Sequence, residues 1–150
     1  MLGEEKVKNK IAVGDADGLV ALADDKDANH NRARRVSEWL LAEGYQVIFP
    51  NTAILEAVTA LKRAKNLPEK AHLINKQYQA GAFHVEYVTR EIMHRASELF
   101  DNTISKQNTF FDAIVAATAE HVEADAVFSF DGWYKKVGLV LVSDLLVEKG

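Results

Sequence analysis

Four acidic residues lie beside or within apolar stretches of the chain, where a soluble protein seldom places a charge. They are Asp15, Glu56, Asp112 and Asp131. A buried carboxylate without a partner costs several kcal/mol or takes up a proton, but several carboxylates can converge where a divalent cation neutralises them. Carboxylate oxygens suit hard cations, so these four residues predict a Mg²⁺ or Mn²⁺ site.

Each acid also has a purely structural explanation. Asp15 and Asp131 lie beside glycines, as turn residues do. Asp112 follows Thr109 by three residues, which is the spacing of a helix capping box. Glu56 is harder to explain in this way, because the residues about one helical turn away are small and would let a metal ion or a nucleic-acid backbone approach.

The composition indicates one folded domain covering residues 1–150. With 48% hydrophobic and 27% charged residues, the chain resembles folded soluble proteins rather than disordered ones. It has no Cys, which excludes disulfides, Cys-based zinc sites and a thiol nucleophile, and which suits a cytoplasmic protein. No apolar run approaches the roughly 20 residues of a membrane span, and the charged residues 1–10 do not resemble a signal peptide.

The formal net charge is −4, so any binding of nucleic acid must depend on local basic patches. Positive side chains cluster in residues 32–35, 62–65 and 135–136. A solvated helix face or loop would show the same pattern. These patches are therefore candidates for phosphate contacts, not evidence of them.

Short apolar segments alternate with amphipathic ones along the chain. The apolar segments, predicted as strands, are residues 10–16, 45–49, 83–87, 126–130 and 138–142. The segments between them, predicted as helices, are residues 28–43, 52–65, 69–80, 89–100 and 110–122. Apolar strands separated by helices predict an α/β domain whose parallel sheet is covered on both faces. Active sites of such sheets lie beyond the carboxyl ends of the strands, where Asp15 and Asp131 are expected.

Motifs of several other enzyme classes are absent from the sequence. The five histidines show no metal-binding spacing, and there is no G-x-S-x-G motif, P-loop or G-x-G-x-x-G segment. A nucleophilic-serine elbow and a nucleotide cofactor therefore have no support.

The order and spacing of the acids resemble those of a PIN domain, and within that superfamily those of the small single-domain VapC-type toxins. The similarity covers nearly the whole chain, from the strand that ends at Asp15, through the segment around Glu56, to Asp131. Its most specific part is the D-A-x-x-A-A-T-A helix that begins at Asp112. An apolar strand follows, ending in the S-x-D motif of Ser129 and Asp131.

This resemblance implies a three-layer α/β/α fold with a central, mostly parallel sheet, and a metal-dependent endoribonuclease activity. It implies that Asp15, Glu56 and Asp112 hold a principal Mg²⁺ or Mn²⁺ ion. Asp131 would support that ion or bind a second one, and Ser129 would hydrogen-bond to the ligands. RNA as the substrate, a cognate antitoxin protein and a homodimer are also implied. Further candidates, for contacts with RNA phosphates, are Arg32, Arg35 and Lys62.

Two parts of the first motif depart from the family pattern. Ala16 and Asp17 occupy positions where Ser or Thr and a small polar residue are usual. Asp17 is therefore expected either to join the acids around the metal or to add repulsion. Gly14 replaces an aliphatic residue and is expected to loosen the end of the strand.

The sequence leaves two alternative functions open. The segment from Asp15 to Gly18 is close to the first motif of haloacid dehalogenase-type phosphatases, in which Asp15 would be the phosphorylated nucleophile and Asp17 the acid/base. Against this, Leu19 replaces the expected Thr, no paired-acid final motif is found, and Asp112 would be unused. The second alternative is a catalytically inactive PIN-like RNA-binding module, although all four acids are present.

Overall fold

The computed structural model describes residues 9–149, and the side chains of residues 9–146. The start of the chain, which is not expected to be a signal peptide, falls largely outside the described residues. Within the described part, no helix is both long enough and apolar enough to cross a membrane.

The described residues form one sheet of parallel strands. These are β1 (Ile11–Gly14), β2 (Gln46–Pro50), β3 (His84–Glu86) and β4 (Ala126–Phe128). They lie in the order β3-β2-β1-β4, with Val13 of β1 opposite both Ile48 of β2 and Val127 of β4. All pairings between these strands are parallel, so the predicted α/β class is confirmed and the carboxyl ends of the strands share one edge.

Helices connect and cover the strands. In the same residues they are α1 (Ala16–Ala23), α2 (His30–Ala42), α3 (Asn51–Arg63), α4 (Pro68–Gln79), α5 (Arg90–Asp101), α6 (Phe110–His121), α7 (Trp133–Lys136) and α8 (Val142–Lys149). The five predicted helices are found as α2 to α6, with ends displaced by one or two residues. Helices α1, α7 and α8 have no predicted counterpart.

Two strands end two residues earlier than predicted, and acidic residues explain both differences. After β1, Asp15 caps α1, because its Oδ1 accepts a hydrogen bond from Ala16 N at 2.6 Å. After β4, Ser129 Oγ and Phe130 N donate hydrogen bonds to Asp17 instead of extending the strand. A short polar side chain at a strand end has thus replaced further sheet pairing in both places.

The strand predicted for residues 138–142 is wrong. Val127 N donates to Val140 O at 2.7 Å and Val127 forms an isolated bridge with Leu141, after which the chain enters α8 at Val142. Leu141 and Val142 are nevertheless buried. The apolar pattern of this segment therefore indicates burial in the core and not a strand.

The sheet separates two layers of helices. Val13 and Val127 face a core shared with α5 and α6, whereas Ala12 and Ala126 face a second core shared with α2 and α8. Side chains alternate between the two faces of a strand, which explains this division. A third apolar cluster joins α1, α3 and α4 around Phe49. The predicted three-layer α/β/α fold is therefore confirmed.

Gly14 leaves room for the side chain of a neighbouring strand, and the expectation that it loosens the strand end stays a prediction. A Cβ atom at this position would lie 2.1 Å from Cε1 of Phe49, far inside van der Waals contact. Phe49 is buried among residues of α1, α3 and α4. The absence of a side chain at Gly14 lets this aromatic ring pack against the end of β1, directly beside Asp15.

Candidate active site

Asp15 lies at the carboxyl end of β1 and is only 4% exposed. Its Oδ2 accepts a hydrogen bond from the Tyr134 hydroxyl at 2.6 Å and has a longer contact with Ser129 Oγ at 3.4 Å. Burial raises the pKa of Asp15 well above its usual range, and the charge of Asp17 raises it further. The hydrogen bond from Tyr134 lowers the pKa of Asp15, but it does not offset these effects.

Asp17 lies in the first turn of α1 and connects that helix to the end of β4. Its Oδ2 accepts hydrogen bonds from Ser129 Oγ and Phe130 N, both at 2.8 Å. Its Oδ1 is buried and has no hydrogen-bond partner among the described residues. Burial raises the pKa of Asp17, while its hydrogen bonds from Phe130 and Ser129 lower it. Because Ser129 Oγ carries one hydrogen, the shorter distance assigns that hydrogen to Asp17 rather than to Asp15.

Asp112 and Asp131 are joined by an asparagine. Asp112 Oδ2 accepts Thr109 N at 2.9 Å, and Thr109 Oγ1 accepts Asp112 N at 3.3 Å, so the predicted capping box is present. Asn108 Nδ2 donates to Asp131 Oδ2 at 3.0 Å and lies 3.4 Å from Asp112 Oδ2. Burial raises the pKa of Asp112; its contacts with Thr109 and Asn108 lower this pKa, and the charge of Asp131 raises it. The carboxylate of Asp112 therefore caps a helix and also faces a second acid.

Glu56 projects from the second turn of α3, which packs against α1 and α6. Burial raises the pKa of Glu56 from 4.5 to about 7, and the charges of Asp112 and Asp17 add to this effect. Its side chain also borders a groove of about 520 Å³ whose lining includes Leu55 and Phe111. Glu56 thus faces the acids of the neighbouring helices while remaining reachable from solvent.

These contacts and charge interactions define one acidic cluster. It consists of Asp15, Asp17, Glu56, Asp112 and Asp131. Within residues 9–149, no member forms an ion pair with Lys, Arg or His. The structure therefore brings together the four acids that the sequence predicted and places Asp17, the further candidate, with them. No positively charged side chain of residues 9–146 pairs with these acids.

The acidic cluster fits a hard divalent cation by its chemistry. Its donors are carboxylate oxygens, their charge is uncompensated, and the buried Oδ1 of Asp17 has no partner in the described structure. In the side-chain positions of the described residues, however, no three His, Asp or Glu side chains form a group that could hold an ion. Asp112 and Asp131 direct oxygens toward Asn108 and nearby backbone amides, so a cation would have to displace some of these contacts.

Sequence reasoning misses two residues that contact the acids. Tyr134 is fully buried, and burial together with the charge of Asp15 raises its pKa well above the usual range. It lies 119 residues from Asp15 along the chain, so no local pattern connects the two. Asn108 directly precedes Thr109, and a search for amides beside the capping box could have found it.

The three predicted phosphate-binding residues lie on two helices. Arg32 and Arg35 are exposed on α2, and the guanidinium of Arg32 lies 4.8 Å from the ring centre of Phe130. Phe130 directly precedes Asp131 in the chain. Lys62 is exposed near the end of α3. The structure therefore places Arg32 against Phe130, the residue before Asp131, and Lys62 on a different helix.

Comparisons with known proteins agree with this geometry. The sequence model of the family described as PIN domain matches residues 14–139, which include the whole acidic cluster. The structure of the Mycobacterium tuberculosis toxin VapC20, described as cleaving the sarcin-ricin loop, superposes with a TM-score of 0.75 at 24% identity, covering 87% of this chain and 97% of that one. A toxin–antitoxin complex from Klebsiella pneumoniae gives a TM-score of 0.52 at 16% identity, over 80% and 86% of the two chains. A comparison with curated protein sequences gave no significant match. At these identities, the two structural neighbours establish a shared fold.

Proposed function

Because the chain belongs to the PIN domain family, we propose that it is an endoribonuclease that hydrolyses RNA phosphodiester bonds with the help of Mg²⁺ or Mn²⁺. The observation that supports this most directly is the acidic cluster at the carboxyl end of the parallel sheet. Burial and the charges of neighbouring acids raise the pKa values of Asp15, Glu56 and Asp112, and no positively charged side chain of the described residues pairs with the cluster. Family membership also decides against the haloacid dehalogenase-type alternative.

In this proposal, Asp15, Glu56 and Asp112 hold the principal ion, and Asp131 supports it. A bound divalent cation supplies an activated water and stabilises the leaving oxygen of the phosphodiester. Tyr134 fixes the orientation of Asp15 through its hydrogen bond to Oδ2. Since carboxylates bind a cation in their ionised form, occupation of the site releases any proton held by Glu56, and the affinity rises with pH near neutrality.

Ser129 and Asp17 have a supporting role in the proposal. Asp17 holds Ser129 Oγ and Phe130 N, and Ser129 Oγ in turn accepts Asp131 N at 3.1 Å. These hydrogen bonds fix the end of β4 relative to α1, and with it the position of Asp131. Asp17 therefore helps to position Asp131. Its Oδ1, which has no partner among the described residues, is available to a cation or a bound water.

The likeness in fold to a toxin and to a toxin–antitoxin complex supports a further part of the proposal, in which the protein is the toxin of a toxin–antitoxin pair. We place it in the cytoplasm, as a homodimer that acts on RNA and is inhibited by a cognate antitoxin. An inhibitor that covers the acidic cluster would present a cation to the carboxylates, and Arg suits this role because it binds carboxylates with two parallel hydrogen bonds. Light scattering at micromolar concentration tests the dimer: a purely monomeric protein would contradict that part.

The nuclease proposal is tested with Asp112→Asn. An Asn side chain keeps an oxygen that can accept Thr109 N, so the helix cap is retained while one charge is removed. Wild type should cleave RNA in Mg²⁺ or Mn²⁺ and stop in EDTA. Removing a residue that only hydrogen-bonds to a metal ligand lowers activity by roughly 10–100-fold. The variant loses a proposed ligand itself, so its activity should fall by more than this. Without metal its stability should be unchanged or higher, because repulsion is reduced, and added Mg²⁺ should stabilise it less than wild type.

The matched control for this experiment is Asp144→Asn. Asp144 lies in the first turn of α8 and pairs with the exposed Lys135 at 3.5 Å, so it is an acid near a helix start outside the acidic cluster. This control should cleave RNA and respond to Mg²⁺ as wild type does. Cleavage that continues in EDTA, or an Asp112→Asn protein with wild-type activity, would refute the proposal.

A further inference from the structure

A second polar site lies between helices α2 and α8. It is a pocket of about 260 Å³, here called the arginine pocket, lined by Arg32, Arg35, Val36, Ser143 and Leu146. One wall comes from α2 and the other from the start of α8, so the pocket contains two guanidinium groups, one hydroxyl and an apolar floor.

The two arginines of the pocket lack carboxylate partners. Arg32 and Arg35 are three residues apart, which places them on the same face of α2. In the described part of the chain, neither forms an ion pair, and the hydrogen bond of Arg32 to Asn29 is long, at 3.5 Å. Arg34 on the same helix differs, because it pairs with Glu38 at 3.8 Å. Among the side chains of residues 9–146, none neutralises either guanidinium, so both can bind an anion.

Phe130 connects the arginine pocket to the acidic cluster. The guanidinium of Arg32 lies over its ring, 4.8 Å from the ring centre. Such cation–π contacts fix the plane of the guanidinium and leave its N–H donors free at the edge. The backbone N–H of Phe130 is bonded to Asp17, and the next residue is Asp131. Phe130 therefore contacts a guanidinium of the arginine pocket through its ring and an acid of the cluster through its backbone N–H.

We propose that the arginine pocket binds a backbone phosphate of the RNA next to the bond that is cleaved. This inference rests on the proposed nuclease function. A chain of net charge −4 whose active site is a cluster of carboxylates repels RNA, so the attraction must come from positive groups close to that site. Arginine suits phosphate because its planar fork donates two parallel hydrogen bonds, and the hydroxyl of Ser143 can donate a third.

An RNA phosphate fits the pocket better than an acidic segment of a partner protein does. The pocket is small, and the guanidinium of Arg32 lies over the ring of Phe130. Planar groups of these two kinds suit unpaired nucleotides because bases stack on them. Arg32 and Arg35 then act in substrate binding, and the chemistry remains with the acids. Binding and cleavage should therefore be separable by experiment.

The test compares wild type with the double variant Arg32→Gln, Arg35→Gln. The control is Arg34→Gln, which removes one charge from the same helix outside the pocket and so matches the single variant Arg35→Gln. Binding of a labelled single-stranded RNA is measured by fluorescence anisotropy in EDTA at several salt concentrations, and cleavage is measured in Mg²⁺. Arg35→Gln alone is included because Arg35 has no ring contact like that of Arg32, so this variant leaves the packing on Phe130 intact. Melting curves confirm that the variants are folded.

The double variant should bind RNA about 10-fold more weakly, and the slope of log affinity against log salt should decrease by roughly 0.7 for each phosphate that the variant no longer neutralises. Its cleavage defect should appear mainly as a higher KM. Arg35→Gln should be intermediate, and Arg34→Gln should bind as wild type does. If wild type cleaves RNA and the double variant matches the Arg34→Gln control in binding and KM, the inference is overturned while the nuclease function stands.

Two other outcomes are equally informative. If RNA binding depends on Arg32 and Arg35 but wild type cleaves no RNA in any metal, the phosphate site stands and the proposed function fails. If the double variant binds RNA normally and instead loses affinity for an acidic peptide, the pocket serves a protein partner and the inference is overturned.

Discussion

Replacing Glu56 with Gln should stabilise the metal-free protein at neutral and higher pH. The folded protein raises the pKa of Glu56 from 4.5 to about 7 through burial and through the charges of Asp112 and Asp17. Ionisation of Glu56 is therefore easier in the unfolded chain than in the folded one. Gln has nearly the same shape and no charge, so the variant avoids this penalty.

The sign follows from proton binding. Below pH 4.5 both states of wild type hold the proton on Glu56, and the penalty is absent. Between pH 4.5 and about 7 the unfolded chain releases the proton while the folded protein retains it, so the free energy of unfolding falls as the pH rises. Above pH 7 the full penalty is present. The advantage of Glu56→Gln over wild type should therefore appear across this window.

The size of the effect has an upper bound. At roughly 1.4 kcal/mol per pKa unit, the difference between 4.5 and about 7 corresponds to about 3 kcal/mol. Glu56 is only partly buried, and solvent screens the charges around it, so we expect about 1 kcal/mol to be measured. For a two-state protein, a difference of this size is readily resolved by urea unfolding.

The assay is urea unfolding in EDTA at pH 4.5 and pH 8, followed by the fluorescence of the buried Trp133. The control is Asp101→Asn, which removes an acid from the exposed end of α5. The variant Glu56→Gln should gain stability relative to wild type only at pH 8, and Asp101→Asn should show no such gain. Saturating Mg²⁺ should remove the advantage, because the cation neutralises the acids of wild type. An equal difference from wild type at both pH values would refute the interpretation of Glu56 as a destabilised acid of the cluster.

Two further variants test the packing and the hydrogen bonding around Asp15. Gly14→Ala should lower the free energy of unfolding by about 1–3 kcal/mol, as measured by urea unfolding, because its Cβ would overlap the ring of Phe49. Adding Phe49→Leu should restore part of this stability. A Gly14→Ala protein as stable as wild type would show that the ring of Phe49 moves freely. Tyr134→Phe removes the hydroxyl that donates to Asp15 Oδ2, so it should cost about 1–3 kcal/mol of stability and raise the Mg²⁺ concentration needed for half-maximal cleavage. Tyr45→Phe, which removes a hydroxyl just before the start of β2, is its control, and equal effects of the two variants would count against a role for Tyr134 in the site.

The parts of the fold that follow local rules could be predicted from the sequence. Apolar strands ending in an acid, such as the one before Asp15, identify the carboxyl edge of a parallel sheet without knowledge of the neighbours. The capping box of Thr109 and Asp112 is also a local pattern, and the structure contains it. Five helices were predictable for the same reason, since each buries one face at a spacing of three to four residues.

The parts that the sequence does not reveal depend on contacts between distant segments. Asp17-Gly18 is a turn signal in isolation, but the side chain of Asp15 caps the N-terminus of α1, and both residues lie in that helix. Residues 138–142 have the composition of a strand, yet only one bridge forms there. The contact between Tyr134 and Asp15 spans 119 residues. Pattern analysis detects the tendency to be buried in each of these cases, and it cannot detect the partner.

The position of Asp17 explains how a chain with an additional acid can keep its site intact. One oxygen of Asp17 accepts two hydrogen bonds from the end of β4, which favour its ionised form, while its charge still raises the pKa of Asp15. Those same bonds hold Phe130, whose ring supports Arg32 on the other side. The expected choice between joining the site and adding repulsion is therefore not exclusive. Asp17 adds negative charge where a cation would bind and fixes the residue that separates the acids from the arginine pocket. A protein with a net charge of −4 can in this way keep carboxylates for a metal and guanidiniums for a phosphate, with Phe130 in contact with a member of each group.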